Sequence, residues 1–247
     1  MSRFIDGLYS MALVETLRRR NSRWIELFRL ASSPSALTVL ADKYGSDKGS
    51  AIEATNKQGW PSHSYTEVYD RWMSQRREDV KYIFECGIGT NNPELVSTMG
   101  IKGSPGASLR MWRDYFPFAT VIGVDIDPTI LFEEERIQTF SLDQTKKDEA
   151  RDLFRRLNLR FDLIIDDGLH TFEAGATLFE AAIDFLAPDG RYVIEDVSES
   201  DALKFQKYFA SSSLNVELLR IRRGGHRIGD NQLICITLPN QHAKRIT

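Results

Sequence analysis

The chain has 247 residues, of which 42% are hydrophobic and 27% are charged, and it carries a net charge of −3 at pH 7. This length and composition are ordinary for one large α/β domain with a small appendage. The slight acidity gives no electrostatic support to a nucleic-acid or membrane partner, so we expect small-molecule ligands and no binding to either partner.

The N-terminal quarter is predicted to be an accessory region. Apolar residues recur at roughly helical spacing over residues 4–30, and Pro34 favours another short helix over residues 35–43. The polar loop of residues 44–61 is long enough to be a lid over a ligand, although a solvated surface linker would have the same composition. We therefore predict accessory helices and a lid loop in residues 1–63, with the helices offering a surface for homo-oligomer formation.

The main domain is predicted to span residues 64–247. Ser64 and Glu67 have the spacing of a capping box, which predicts a helix running towards Arg77. Strand-like runs then alternate with helix-length segments, and seven runs are found, at residues 80–86, 119–127, 136–142, 161–166, 190–196, 214–221 and 231–238. This alternation predicts an α/β fold with a doubly wound, mostly parallel, seven-stranded sheet that binds its ligands at the carboxyl ends of the strands.

Localisation is predicted from the cysteines and from the hydropathy of the chain. Cys86 and Cys235 lie inside apolar runs, which is typical of buried, reduced thiols. No run approaches the length needed to span a bilayer, and the N-terminus lacks the pattern of a secretory leader. We therefore expect a cytoplasmic protein.

The first strand of the main domain ends in a glycine turn. Glu85 is followed by Gly87 and Gly89, and glycines at alternate positions let a backbone approach a ribose or a phosphate. Asn92 stands where a pyrophosphate-binding fingerprint has its third glycine, which argues against NAD. Asp125, at the end of the next strand, has a carboxylate suited to two ribose hydroxyls. Together these residues predict a nucleoside-containing cofactor.

Two polar residues follow the third predicted strand. Asp143 and Gln144 have side chains that suit hydrogen bonds to the edge of an adenine. Capping of the next helix would by itself explain Asp143. Both interpretations are kept.

Acidic residues end two further strands. Asp166 and Asp167 end one strand, and Glu195 and Asp196 end the next. Adjacent strands lie about 4.8 Å apart, so these carboxylates would repel strongly unless some are protonated or a cation binds among them. Oxygen ligands from Asp167, Glu195 and Asp196 suit magnesium, calcium or manganese better than zinc. The sequence therefore predicts a divalent-metal site; acids that cap helices or pair with arginines are the alternative.

These motifs resemble a known family. Glu85, Gly87 and Gly89 followed by Asp125 are similar to the motif of class I S-adenosylmethionine-dependent methyltransferases. A closer likeness, over about residues 41–238, is to the metal-dependent sugar O-methyltransferases of macrolide biosynthesis, the mycinamicin type. This likeness rests on YGSDKG at residues 44–49, PGASL at 105–109 with Trp112, DDGLH at 166–170 and ED at 195–196.

The resemblance implies a Rossmann-like methyltransferase fold and assigns roles to individual residues. The residues that it places at the nucleoside of S-adenosylmethionine are Glu85, Gly87, Ser108, Asp125, Asp143 and Gln144. We also expect cofactor contacts from four residues of the same motifs, Tyr44, Lys48, Gly89 and Asp166. The metal, most simply magnesium, would be held by Asp167, Glu195 and Asp196. His170 would act as the base, with Asp167 as a further catalytic residue, and a purely structural histidine is the alternative.

We therefore expect a metal-dependent O-methyltransferase that moves the methyl group of S-adenosylmethionine to a sugar hydroxyl in a glycosylated natural product or polysaccharide. The sugar is favoured by the resemblance alone, because a catechol or another small hydroxylated metabolite fits the same metal geometry. Two other classes stay open: a different nucleotide-dependent enzyme on the same fold, and a non-catalytic cofactor-binding protein. The second class would have no use for a histidine beside an acidic cluster.

Overall fold

The computed structural model describes residues 11–19, 22–29, 33–50, 61–222 and 229–239, so residues 51–60 of the predicted lid loop lie outside it. The strands of this part are β1 (Met11–Arg19), β2 (Ser22–Arg29), β3 (Tyr82–Cys86), β4 (Thr120–Asp125), β5 (Glu133–Glu134), β6 (Ile137–Ser141), β7 (Phe161–Asp166), β8 (Leu186–Ile194), β9 (Asn215–Arg222) and β10 (Gln232–Thr237). The α-helices are α1 (Ala36–Tyr44), α2 (Tyr65–Met73), α3 (Ala107–Tyr115), α4 (Lys147–Leu157), α5 (Phe172–Ala182) and α6 (Glu199–Phe209). None of these helices combines the length and the apolar character that crossing a bilayer requires.

The ten described strands form one sheet in the order β1, β2, β9, β10, β8, β7, β3, β4, β6, β5. The five central strands β8, β7, β3, β4 and β6 run parallel, and β10 is antiparallel to both β8 and β9. The predicted doubly wound, mostly parallel sheet is therefore confirmed. The count of seven is wrong for the whole sheet, because two N-terminal strands and the two-residue β5 extend it at its edges.

The helical region predicted over residues 4–30 is wrong where the structure describes it. Residues 11–19 and 22–29 form the hairpin β1–β2, and β2 pairs in parallel with β9. An apolar run cannot be assigned to helix or strand by its spacing alone, and the free edge of β9 offers unpaired backbone groups to an extended segment. The boundary between residues 63 and 64 stays a prediction.

The helix predicted over residues 35–43 is confirmed as α1, which begins at a Ser35 cap that accepts from the Thr38 amide at 3.1 Å. The capping box before α2 is wrong, because Ser64 makes no side-chain cap bond and has a φ of 65°. The reason lies in the backbone: the Ser64 amide donates to the carbonyl of Gly49 at 2.8 Å, and the His63 amide donates to that of Asp47 at 2.7 Å. These bonds tie the entry of α2 to the segment after α1.

Helices cover both faces of the central sheet. Helices α1, α2 and α3 pack on one face, against side chains such as Ile83 and Ile165, and α4, α5 and α6 pack on the other, against Phe84 and Ile164. Successive residues of a strand point to opposite faces, so β3 and β7, buried on both faces, are apolar almost throughout. Polar residues are thereby confined to the strand ends, where the site lies.

The loops that follow β3 and β7 touch at Gly87. This glycine has a φ of +85°, and a Cβ atom added to it would lie 2.0 Å from the carbonyl oxygen of Asp167. Two amides extend the backbone ladder past the strands: that of Asp167 donates to Cys86 at 2.8 Å, and that of Glu195 donates to Asp166 at 2.9 Å. The ends of β3, β7 and β8 are therefore held in one rigid edge.

We predict that Gly87→Ala lowers the free energy of unfolding by about 1–3 kcal/mol more than Gly100→Ala. Both glycines have a left-handed φ, so each substitution carries a backbone strain of about 1–2 kcal/mol. A Cβ atom at Gly100 meets no atom within 4 Å, whereas one at Gly87 displaces the Asp167 carbonyl. Urea unfolding of both variants measures the difference, and equal losses would show that the two loops are not in tight contact.

Candidate active site

Five carboxylates meet at the carboxyl edge of three neighbouring strands. Glu85 lies in β3, Asp166 ends β7 and is followed by Asp167, and Glu195 and Asp196 follow β8. Glu85, Asp166 and Glu195 are almost completely buried. The pairing of β7 with β8 brings the two predicted acidic pairs together. A buried carboxylate is costly unless it is paired, so the partners of this cluster decide what the site can do.

Lys48 is the main cation of the cluster. Its side chain is 2% exposed, and its Nζ atom contacts Asp167 and Glu195 and lies 3.3 Å from Oε1 of Glu85. Burial opposes the charge of this ammonium, but the surrounding carboxylates raise the pKa of Lys48 well above its ordinary value. The predicted cofactor residue Lys48 is thus engaged by acids.

The carboxylates respond unequally to burial. Burial raises the pKa of Glu85 to about 7 and that of Asp166 to about 6, and it raises the pKa of Glu195 as well. For Asp167, burial is outweighed by Lys48 and His170, which hold its pKa at about 2. Lys48 alone therefore does not neutralise the buried carboxylates, and a further cation bound among them would reduce their mutual repulsion.

A second group of side chains holds the acids from the side of α2. The hydroxyl of Tyr65 donates to Oδ1 of Asp196 at 2.6 Å, and that of Tyr69 donates to Oε1 of Glu195 at 2.5 Å. Burial, followed by the charge of the adjacent acid, raises the pKa of each tyrosine well above its ordinary value, so both stay donors. His63 Nδ1 lies 3.3 Å from Oδ1 of Asp196.

These three residues were missed as site residues by the sequence analysis. From the sequence, His63 and Tyr65 are expected only in or beside the lid loop, and Tyr69 only within the helix that follows it. The available signal was the spacing of Tyr65 and Tyr69, which places both side chains on one face of α2.

His170 completes a group that fits a metal ion. One ligand atom each from Asp167, His170 and Asp196 lies within 4.8 Å of the others. His170 Nε2 is 3.4 Å from Oδ1 of Asp167 and 3.8 Å from Oδ2 of Asp196. Burial opposes protonation of His170, but the nearby carboxylates of Asp167 and Asp196 raise its pKa to about 10.

Most of the buried side-chain atoms without hydrogen bonds belong to the acidic cluster and His170. Five buried side-chain atoms of the described residues have no hydrogen-bond partner, and three of them belong to this cluster: Glu85 Oε1, Asp166 Oδ2 and His170 Nε2. The carboxylate oxygens suit a hard divalent cation such as magnesium or manganese, whereas an imidazole nitrogen is a ligand typical of zinc, copper, iron or nickel. The predicted set of Asp167, Glu195 and Asp196 stays a prediction, because the oxygens of Glu195 contact Lys48 and Tyr69.

A cavity of about 400 Å³ opens beside this group, a volume in the range of small-ligand sites. The segment between β3 and α3 contributes to its wall. Seven of the predicted cofactor residues line it: Lys48, Gly87, Gly89, Ser108, Asp125, Asp143 and Gln144. Glu85 and Asp166 lie behind the wall in the acidic cluster. Tyr44 does not line the cavity, and its hydroxyl donates to the carboxylate of Asp114 on α3.

The carboxylate of Asp125 accepts hydrogen bonds from the backbone and keeps free acceptor positions towards the cavity. It accepts the amide of Ile88 at 2.9 Å and the amide of Asp127 at 3.0 Å, so it fixes the glycine turn. A carboxylate has about four lone-pair sites, which leaves acceptor capacity towards the cavity. The glycine turn and Asp125, predicted as two separate parts of a cofactor site, are thus joined by hydrogen bonds.

Asp143 and Gln144 also have partners in the protein. Asp143 accepts the amide and hydroxyl of Thr145, at 3.0 Å and 2.6 Å, in the turn before α4. It does not cap the helix, because α4 begins at Lys147 and its N-cap, Lys146, receives no side-chain cap bond. Gln144 donates to Oδ1 of Asp166 at 3.0 Å and accepts the amide of Leu169 at 2.7 Å. Its amide therefore supports the loop that carries His170.

No protein-family model matches the sequence. The chain is 34% identical over 178 residues to the demethylmacrocin O-methyltransferase of Streptomyces fradiae and 33% identical over 178 residues to the mycinamicin VI 2''-O-methyltransferase of Micromonospora griseorubida. Each alignment covers 70% of this chain and 42% of the relative. The chain thus spans about two fifths of the length of these relatives.

The fold has a matching solved structure. The crystal structure of the MycE methyltransferase from the mycinamycin biosynthetic pathway, in complex with Mg and SAH, superposes with a TM-score of 0.59 at 24% sequence identity, covering 88% of this chain and 58% of that one. Over the aligned residues the chain is therefore similar in sequence to O-methyltransferases, and it has the Rossmann-like fold of a methyltransferase.

Proposed function

We propose that the protein is a metal-dependent O-methyltransferase that transfers the methyl group of S-adenosylmethionine to a sugar hydroxyl of a glycosylated natural product. The observation that carries this proposal is the position of the cavity. It lies between a glycine turn with its acid, Asp125, and the group formed by Asp167, His170 and Asp196. A nucleoside site and a cation site therefore share one space. A further relative, the 8-demethyl-8-alpha-L-rhamnosyl tetracenomycin-C 2'-O-methyltransferase of Streptomyces olivaceus, has a rhamnosyl group in its name, which supports a sugar as the acceptor.

The cofactor would be held by the glycine turn and by Asp125. Gly87 and Gly89 expose their backbone to the cavity, and the Asp125 carboxylate faces it from the end of β4. Ser108, Asp143 and Gln144 line the same space. S-adenosylmethionine, when bound, supplies an activated methyl group. The protein's contribution to transfer is to fix the acceptor in line with that methyl and to remove the proton of the acceptor hydroxyl.

Asp167 and Asp196 would hold the cation, together with Glu195, whose Oε2 contacts Lys48 in this structure. A divalent cation, when bound, supplies the positive charge that lowers the pKa of an acceptor hydroxyl. Asp167 has a further role in catalysis through His170, since its Oδ1 lies 3.4 Å from the imidazole and orients it.

His170 is the proposed base. It lines the cavity next to both acids, in the loop after β7, and Nε2 has no hydrogen-bond partner among the described residues. The negative charges of Asp167 and Asp196 favour the protonated imidazolium. A cation bound by these two acids would offset their charge and favour the neutral imidazole, which can accept a proton.

The remaining expectations are also proposals. We propose a small-molecule or glycosylated substrate, no nucleic-acid or membrane partner, and a cytoplasmic location. Homo-oligomer formation through the N-terminal region stays a prediction, with the difference that residues 11–19 and 22–29 offer strands instead of helices.

Calorimetric titration of S-adenosylhomocysteine into the purified full chain tests the cofactor. We expect micromolar binding with and without a chelator, because the glycine turn and Asp125 are distinct from the acids proposed to hold the cation. Methyl transfer to demethylmacrocin or mycinamicin VI, with a simple catechol as the competing acceptor, should require magnesium and stop on chelation. Absence of binding under every condition would overturn the cofactor assignment, and transfer that survives chelation would overturn the metal.

We predict that Asp125→Asn weakens S-adenosylhomocysteine binding by about tenfold to a hundredfold, the usual value of a hydrogen bond to a charged acceptor. Asp127→Asn is the matched control, because its carboxylate bonds to Thr90 and Thr129 and does not line the cavity. Calorimetry on both variants gives the comparison. Equal affinities for the two variants would remove the ribose role of Asp125.

We predict that His170→Ala lowers turnover by a hundredfold or more and leaves S-adenosylhomocysteine affinity unchanged, because only proton removal is lost. His63→Gln is the comparison, since His63 lines the same cavity but is bonded to Asn231 at 3.2 Å. Steady-state rates and calorimetry separate the two effects. A loss confined to the His63 variant would move the base to His63.

A further inference from the structure

Two tyrosines on one face of α2 reach the acidic cluster. Tyr65 and Tyr69 are four residues apart, which places their side chains one above the other on the helix. The Tyr65 hydroxyl donates to Oδ1 of Asp196, and the Tyr69 hydroxyl donates to Oε1 of Glu195. The other acceptor near the Tyr65 hydroxyl, the carbonyl of Asp230, lies farther away at 3.5 Å. Helix α2 therefore makes one hydrogen bond to each of two consecutive acids.

Each bond engages one oxygen of its carboxylate and fixes the direction of the other. Oδ2 of Asp196 is left facing His170, at 3.8 Å from Nε2. Oε2 of Glu195 is left facing Lys48. Rotation of either carboxylate would break a buried hydrogen bond and leave a phenol unpaired, which is costly. The tyrosines therefore select the oxygen that each acid presents to the cluster.

We propose that Tyr65 and Tyr69 are positioning residues of the cation site, which set its affinity by holding Asp196 and Glu195 with one oxygen each turned inwards. The inference rests on the proposed function, since it takes a divalent cation to bind at these acids. Hydrogen-bond partners behind metal ligands orient the ligands, and losing one weakens metal binding by about tenfold to a hundredfold.

The rings of both tyrosines are held independently of their hydroxyls. The Tyr69 ring packs edge-on against Trp112, with centroids 4.9 Å apart, and against Trp72 at 5.7 Å. The Tyr65 ring stacks on His63 at 4.9 Å. Substitution by phenylalanine removes only the donor and keeps these ring contacts. The two hydroxyls can thus be tested without opening a cavity.

A matched control exists in the same core. Tyr115 on α3 is fully buried, and its hydroxyl donates to Oδ1 of the buried Asp70 at 2.6 Å. The bond has the same chemistry and length as that of Tyr65 to Asp196, but neither Tyr115 nor Asp70 belongs to the acidic cluster. Tyr115→Phe therefore reports the general cost of losing a buried phenol–carboxylate bond.

The experiment titrates Mn²⁺ into the chelator-treated full chain and follows the free ion by electron paramagnetic resonance. We expect Tyr65→Phe and Tyr69→Phe to weaken Mn²⁺ binding by about tenfold to a hundredfold and Tyr115→Phe to change it less than about twofold. In activity assays, saturating metal should restore much of the kcat of the two variants, while their half-saturating metal concentration stays raised. All three variants should bind S-adenosylhomocysteine like the wild type, which confirms that they are folded.

The outcomes separate this inference from the proposed function. Wild-type binding of Mn²⁺ with unchanged affinity in Tyr65→Phe and Tyr69→Phe overturns the positioning role alone. An equal loss in Tyr115→Phe also overturns it, since the effect would then be a general one on the core. A wild type that binds S-adenosylhomocysteine but no Mn²⁺ overturns the metal dependence and this inference together.

Discussion

The contact of Lys48 with the buried acids is the interaction on which both the fold and the site depend. Carboxylates of β3, β7 and β8 are gathered at one edge, and removing a cation from such a group would leave buried charge uncompensated. Lys48 comes from the segment after α1, so its ion pairs attach that segment to the central sheet. The backbone bonds from Ser64 to Gly49 and from His63 to Asp47 then set where α2 begins. The same contacts that balance charge therefore also place Tyr65 and Tyr69.

Backbone strain is concentrated at the same edge. His170 and Asp196 both have a left-handed φ, of 56° and 52°, which is uncommon for residues with a side chain. Such conformations persist only where surrounding bonds determine them. Here the ladder bonds of Asp167 and Glu195 continue the sheet to within a few residues of the strained positions. A rigid sheet edge thus holds the proposed base and one acid in orientations that a free loop would not keep.

The central sheet and the meeting of its acids could be predicted from the sequence, because the apolar runs are buried on both faces and parallel neighbours end at the same edge. The hairpin β1–β2 could not, since an apolar run over residues 11–29 has no spacing that decides between helix and strand. The Ser64 cap failed because tertiary backbone bonds override local side-chain chemistry. The bond from Tyr69 to Glu195 joins residues 126 positions apart, and no local pattern encodes such a contact. Tyr44 is linked to the cofactor by its motif alone, and a sequence motif does not determine the orientation of a side chain, which here directs the hydroxyl to Asp114.

Asp167 decides how a lysine and a metal ion can share one cluster. Its Oδ2 contacts Lys48, whereas its Oδ1 faces His170, so the two oxygens serve opposite sides. A cation held by Asp167, His170 and Asp196 is compatible with the contacts of Lys48 as they stand, and Glu195 then remains the partner of the lysine. A cation held by Asp167, Glu195 and Asp196 requires Oε2 of Glu195, which Lys48 contacts, so the ammonium must withdraw. The two ligand sets therefore differ physically in where Lys48 lies. Because Lys48 belongs to the segment after α1, a metal ion bound by the second set is coupled to the position of that segment, and one bound by the first set is not.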